Sequence, residues 1–454
     1  MFGIKVKDSL LRLGFPDGIQ NAFLFGIFNA FSFQIVLGTP VILYAKTLGA
    51  SETVLGVISG MMPLLVVLQI PAASYVVRVG YKKFVLAGWG TRVFMIFLMS
   101  IIPLIGSLIG HVSTLSVLLM LLFLFNLSRG ISSCAWLPWI TSLVPEKHRG
   151  KYLMIDSACV NASSLVIFIL VALILGKIPE SWKFSLVFLV SAVNGFVSLL
   201  FLKKIPEVET PDQVRVSAAP VPWGEIIGYK PFKRVLIVNF FWSIGYGGLT
   251  AFIAAYLKSI EQFNEMLILL TFACSYIGGL CNIWLFWSRL DHYGSKPILQ
   301  ITFLLWIILM ISWVLVTCGL LPRWVVFIGV LQFSIGLASS ASNMALTRLA
   351  MCIVPVMGRN HFFALFSVVG NVTQGIAPVL WGILIDSMSG VTFGHGHFTF
   401  NKFSIFFGLV AIVFIVTLLS IRKIEEPKSL ALDKLLQELL LVPTKFWFRF
   451  WPRT

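Results

Sequence analysis

Apolar runs of about twenty residues or more recur from one end of this chain to the other, and they leave few folds open. They fall near 18–45, 53–77, 84–108, 114–143, 152–176, 184–202, 234–257, 265–287, 298–318, 324–350, 361–386 and 403–421. About 20 apolar residues cross a bilayer as a helix. Inside lipid every backbone N–H and C=O must be paired within the protein, so such runs predict helices and not open strands. Several runs exceed the crossing length, which predicts tilt or ends that emerge from the bilayer. Composition agrees: 58% of residues are hydrophobic and 11% charged, where a soluble domain carries about 25% charge. The first run, Ile19 to Tyr44, is too long for the roughly 7–15 residue core of a cleavable signal and reads as a retained span. The expected fold is an all-α polytopic membrane protein of twelve transmembrane helices.

The basic residues orient it. With a cytoplasmic N-terminus, roughly 25 Lys and Arg fall on the inner side against about 6 on the outer side, a strong positive-inside bias. Arg92, Arg129 and Arg348 lie within apolar sequence. Both termini are therefore expected in the cytoplasm. The net charge of +16 is read as this bias and not as a nucleic-acid surface. The six cysteines form no C-x-x-C pair, so neither a disulfide framework nor a metal centre is indicated, and they read as small buried residues.

The longest inner connector contains IPEVETPDQ and APVPWGE, and its proline and charge mark a linker. It divides the chain into an N-terminal segment (1–17), a six-helix bundle (18–202), the linker (203–233), a second six-helix bundle (234–422) and a tail (423–454). The bundles repeat. Residues 144–152 read VPEKHRGKY and 354–362 read VPVMGRNHF, an offset of 210. Residues 75–83 read YVVRVGYKK and 289–297 read RLDHYGSKP, an offset of 214. Each pair occupies the same loop of its half, after the second or the fourth span. Parallel six-helix repeats account for both.

With these loops the chain resembles the major facilitator superfamily, whose G-x-L-a-D-R-x-G-R-K signature follows the second span and recurs in degenerate form after the eighth. The first copy here keeps Arg78, Gly80, Lys82 and Lys83 but has Val77 in place of the acid and Tyr81 at the first basic position. The second keeps Asp291, Gly294 and Lys296, and Arg149 and Arg359 mark the other loop pair. The resemblance, from about Gly18 to Arg422, implies two bundles around a cavity that opens alternately to each side. It also implies that spans one, four, seven and ten line the cavity. Glycine suits a tight turn between helices, and the basic residues can pair with acids or helix C-termini of the other half as a cytoplasmic gate.

Ionisable and polar residues inside spans are costly and point to function. Asn126, Arg129, Ser133 and Trp136 follow at intervals of three, four and three, which puts them on one helical face. A cation beside an indole suits an anionic or sugar-like solute; a charge paired within the first bundle is the structural alternative. Asp156, near the inner end of the fifth span, is the candidate for a coupling proton, or else a partner for Arg92, Arg129 or the loop bases. Arg92 is expected to reach back to the interface. Asn29 and Gln34 stand in the first span; Asn239, Trp242 and Tyr246 line one face of the seventh, beside Gly247–Gly248. Gln332, Ser339 and Asn343 do so in the tenth, and Gln374 in the eleventh. Interhelical glue is the alternative for any one of them. Gly38-Thr39-Pro40, Pro63, Pro71, Pro138 and Pro378 allow bends.

At the periphery, Asp17 reads as a helix cap, Asp386 as a solvated residue at the outer end of the eleventh span, and Arg348 as an inner gate or anchor. His395 and His397 form an H-x-H in an ordinary loop, too few for a metal site. The leucines between 432 and 440, followed by FWFRFWPR, read as an amphipathic anchor on the inner membrane surface, with a protein-docking helix as the alternative. No GxxxxGK[ST] loop is present in the sequence, which argues against an ATP motor. The reading is a secondary active transporter of a small polar organic solute, not an enzyme, coupled to protons. It needs no cofactor, binds no nucleic acid, and sits as a monomer in a bacterial inner membrane. An uncoupled facilitator and a non-transporting receptor or scaffold are the alternatives; dense polar lining favours transport.

Overall fold

The computed structural model describes residues 15–16, 18–145, 148–207, 228–286, 294–353, 359–390, 392–395 and 398–426. Among them are twelve helices long and apolar enough to cross a membrane: Gln20–Thr47, Glu52–Ala73, Tyr81–Gly106, His111–Ile140, Ile155–Leu175, Ser181–Leu202, Lys230–Ser259, Glu265–Leu285, Ser295–Thr317, Val325–Ile353, Phe362–Ser387 and Lys402–Arg422. They are called spans 1 to 12 below. Each expected span is present, with its ends moved by a few residues. Most of the tail, Asp17, Asp291 and His397 lie outside the described residues. His395 closes a strand, Thr392–His395, which pairs antiparallel with Phe398–Asn401 between spans 11 and 12.

Four of the spans break along their length. Span 1 stops at Leu37 and restarts at Thr39 across an extended Gly38, with Pro40 in the new first turn. Proline fits there because the first-turn amide has no intrahelical partner. Span 7 stops at Tyr246 and restarts at Leu249, across Gly247 and a left-handed Gly248 with φ of +77°. The two breaks occupy corresponding places in the halves. Span 4 changes to a 3-10 turn at Ser133–Ala135 before Trp136–Leu143 resumes the α-helix. Span 2 breaks between Val66 and Gln69, one turn after Pro63, whereas Pro378 sits inside a continuous helix.

The spans enclose a buried apolar core that runs through both halves. The halves meet along span 2 against span 11 and span 5 against span 8. Small residues make the first contact close. A side chain on Gly56 would strike the Pro378 carbonyl, and one on Gly60 the Gly375 carbonyl. Close backbone approach of this kind is how helices associate where lipid supplies no hydrophobic drive.

The described residues before span 1, after span 12 and on either side of the linker share one end of the bundle, the terminal end. The 1–2 and 11–12 connections share the other, the far end. At the far end Asp386 accepts hydrogen bonds from the Glu52 and Thr53 amides, at 3.1 and 2.8 Å, and from the Thr53 hydroxyl at 2.6 Å. It caps the start of a helix in the opposite half, where a carboxylate meets free N–H groups and the positive end of the helix dipole. This corrects the expectation of a solvated Asp386.

Candidate functional site

Polar side chains inside the spans gather around three cavities. The first, about 320 Å³, lies between the halves. Thr39 of span 1 and Asn161 of span 5 face Tyr246 of span 7, Tyr276 of span 8, and Gln332 and Asn343 of span 10. Ser339 also lines it. Beside it the Tyr276 hydroxyl donates to Gln34 Oε1 at 3.1 Å, while Gln34 Nε2 donates to Ser164 Oγ at 2.8 Å. Gln34 thus ties the halves together at mid-span. Spans 5 and 8 contribute Asn161, Ser275, Tyr276 and Gly279, which the sequence reading did not select. Their only sequence signal is a run of small and polar residues at helical spacing.

The second cavity, about 200 Å³, lies inside the N-terminal half. Asn29, Arg129, Trp136 and Asp156 line it, and so does Arg92. Arg92 does not reach the interface. It is 4% exposed, and its guanidinium carbon sits 3.6 Å over the Trp89 ring. The nearby indole offers a cation a face that lies closer than the headgroups. Trp89 Nε1 donates to Asn29 Oδ1 at 3.2 Å, which fixes that ring in turn. Arg92 Nε and Nη2 and Arg129 Nη1 have no hydrogen-bond partner among the described residues. Asp156 stands in the same cavity and is in no ion pair with either arginine. Asn126 takes no part in it. Its amide bonds its own helix at the Leu122 carbonyl, 2.9 Å away, as short polar side chains within helices do.

The third, about 190 Å³, lies inside the C-terminal half between spans 7, 10 and 11. Asn239, Trp242, Asn343 and Gln374 line it. Asn239 is anchored by a 2.9 Å bond to the Phe366 carbonyl. Trp242 stacks on Tyr246 with centroids 4.8 Å apart and packs against Trp306 and Phe414. It is therefore a core residue with one edge on the cavity. Asn343 borders both this cavity and the central one and is exposed, although it lies well inside span 10.

The duplicated loops at the terminal end differ in their grip. Gly80 and Gly294 hold the same turn, with φ of +89° and +86°, a conformation that disfavours any side chain. After Gly294, Glu426 accepts from the Ser295 and Lys296 amides at 2.9 and 2.7 Å and pairs with Arg348 at 2.9 Å. Lys296 Nζ reaches the Ile424 carbonyl at 2.6 Å. Arg348 is thus an anchor inside its own half. At the first copy Arg78 and Lys83 are exposed and Lys82 is half-buried. Arg149 and Arg359 begin corresponding helices; their side chains are outside the described set. Nearby, Arg234 donates to Glu425 at 2.8 Å and holds that carboxyl below its usual value.

A sequence model of the Major Facilitator Superfamily matches residues 22–288. No curated protein matches the sequence. Among solved structures, a variant of the nucleoside transporter NupG is similar at a TM-score of 0.70 and 12% identity, over 90% of this chain and 100% of that one. A D-xylose-proton symporter follows at 0.69 and 14%, over 90% and 98%. The inward-open xylose transporter XylE from E. coli gives 0.65 and 15%, over 92% and 98%. At such identities the likeness is one of fold.

Proposed function

This chain belongs to the Major Facilitator Superfamily, and from that premise we propose that it moves a small polar organic solute by alternating access, coupled to protons. The observation that carries the reading is the polar cavity between the halves, lined from spans 1, 5, 7, 8 and 10. A site at a repeat interface near mid-membrane, beside interrupted helices, is what a rocking mechanism requires. Spans 1 and 7 supply those interruptions. The moving bodies in this reading are residues 18–202 and 234–422, joined by 203–233.

The distribution of Lys and Arg supports placing the terminal end in the cytoplasm. The far end is then extracellular or periplasmic, and the ties at Glu52, Thr53 and Asp386 belong to an inward-open state. Solute leaves the central cavity past the exposed Asn343 and returns as those ties exchange for contacts at the terminal end. Gly80, Gly294 and the basic residues beside them are the parts that would meet there. Asp156 is the carboxylate offered for the coupling proton, because it faces a cavity and is in no ion pair with Arg92 or Arg129. Transporters of a nucleoside and of xylose share the fold, which supports a solute of that size.

Purified protein in liposomes tests the reading. Uptake should rise with an imposed inward proton gradient and lose that dependence in Asp156→Asn. Equilibrating flux indifferent to the gradient would replace coupling with facilitation. Absence of flux for sugars, nucleosides, amino acids and organic anions alike would leave a scaffold.

A further inference from the structure

We propose that the cavity inside the N-terminal half is an anion site, which takes the carboxylate or similar oxyanion group of a small, flat organic solute. The proposal rests on the transport reading above and names its solute class.

Two guanidiniums face one small cavity against a single carboxylate, Asp156, which leaves one positive charge unbalanced. Structural arginines in this protein look different. Arg348, for example, spends its guanidinium on Ser295 and Glu426. Arg92 is buried and three guanidinium nitrogens of the pair have no acceptor among the described residues. A buried charged donor without an acceptor costs more than an ordinary lost hydrogen bond. Such an arrangement persists where a ligand completes it. An oxyanion is the chemistry that fits, because a guanidinium presents parallel N–H groups to two oxygens at once.

The surroundings narrow the class. Trp89 occupies the face of Arg92 and so leaves its N–H edge, which holds Nε and Nη2, to meet a ligand. Trp136 lies against Phe25 with centroids 4.7 Å apart, and Phe33 completes an aromatic wall. Rings of this kind favour a planar, partly apolar body. A volume of about 200 Å³ falls below the roughly 300 Å³ at which drug-sized pockets begin, so the body is small. Asp156 shares the cavity with the incoming anion, and like charges there oppose each other. A proton on Asp156 removes that opposition, so anion and proton favour each other's binding, and by linkage the preference is reciprocal. Anion and proton would then move together.

The test uses full-length protein in detergent, read by thermal melting and tryptophan fluorescence. The probes are benzoate, its neutral counterpart benzamide, and inorganic phosphate. Benzoate should raise the melting temperature and change the fluorescence; benzamide at the same concentration should do neither. Trp136→Phe should lose much of the fluorescence change while the melting shift remains. Arg129→Gln and Arg92→Gln should each weaken benzoate binding at least about tenfold, equivalent to 1.4 kcal/mol. An equal response to benzamide overturns the proposal, as does benzoate binding that survives both arginine substitutions. Should those variants fail to fold, the benzoate–benzamide comparison on the parent protein still decides. A response to phosphate alone overturns the flat organic class. No response to either anion overturns the site. Benzoate binding without any proton-driven flux would sink the transport reading and leave the site standing. Flux of neutral solutes without anion binding would do the reverse.

Discussion

Each half closes its first helical hairpin at the far end with a lysine and a glutamate, and the two closures are not used alike. In the C-terminal half Lys258, at the end of span 7, pairs with Glu265, at the start of span 8. In the N-terminal half Lys46 and Glu52 hold the corresponding places, 2.8 Å apart. Both carboxylates are buried, and each leaves one oxygen without a hydrogen bond among the described residues. Glu52 has a further partner, Lys402 of the other half, at 3.2 Å. The backbone around it is held by Asp386. Hairpin closure is thus the duplicated part. The tie between halves is built on one copy only, and it is the tie that an alternating mechanism must break.

The largest effect on melting is expected at the two hairpin pairs, and in the C-terminal half the pair serves folding alone. Glu265→Ala leaves the half-buried Lys258 without its partner, and breaking such pairs costs about 3–5 kcal/mol. Melting in detergent should fall by several degrees, while access to the central cavity should stay as it is. A parent-like melting temperature would break the comparison at its root. Glu52→Ala should cost about as much, because it strands two lysines that are no more exposed than Lys258. It should change access as well. A cysteine placed at Thr39 should react several-fold faster with an impermeant maleimide added from the far side, judged against the same cysteine in the parent. Unchanged labelling would mean that Lys402 is an ornament and that helix contacts alone hold the far end. Asp386→Asn is milder, because an amide oxygen still caps span 2 and only the charge at the helix start is lost, about 0.3–1 kcal/mol. The same labelling should rise by a small factor, less than for Glu52→Ala.

The far-end tie was hidden in the sequence, whereas the spans were plain. A span is a local property: twenty apolar residues declare themselves without any partner. Asp386 and Glu52 are 334 residues apart, and Lys402 and Glu52 are 350 apart. No local pattern links them, and a charge at the end of a span looks solvated until another helix arrives. The polar stripes were legible from helical spacing, all but one member. Gln332, Ser339 and Asn343 share the central cavity on one continuous helix. In span 4 Arg129, Ser133 and Trp136 share the second cavity across the 3-10 turn, whereas Asn126, earlier on the same helix, turns back onto the Leu122 carbonyl. Arg92 was read as an interfacial side chain because distance along its helix was the only measure at hand. Trp89, three residues before it, supplied the nearer partner. Asn161 and Tyr276 were missed because each carries weight only when the other half faces it.

The smallest effect sharpens the contrast from the terminal end. Arg234 and Glu425 join spans 7 and 12 of one half, and Glu425 is fully exposed to solvent on its free side. Arg234 lowers the Glu425 carboxyl, first through the hydrogen bond and then through charge. A carboxylate lowered on folding adds stability above its unfolded value and loses it as pH falls through the folded one. Exposed pairs of this type are screened at about 0.15 M salt and contribute little. Between about pH 6 and about pH 3, Glu425→Ala and the parent should therefore melt in parallel at that salt. At low salt the parent should lose slightly more on acidification, because only it has this carboxylate to protonate. A large acid-side difference would make Arg234–Glu425 a second clamp within the C-terminal half, beside Arg348–Glu426. The far-end pair at Glu52 would still be the one recruited across the halves, but the C-terminal half would then be held by charge at both of its ends.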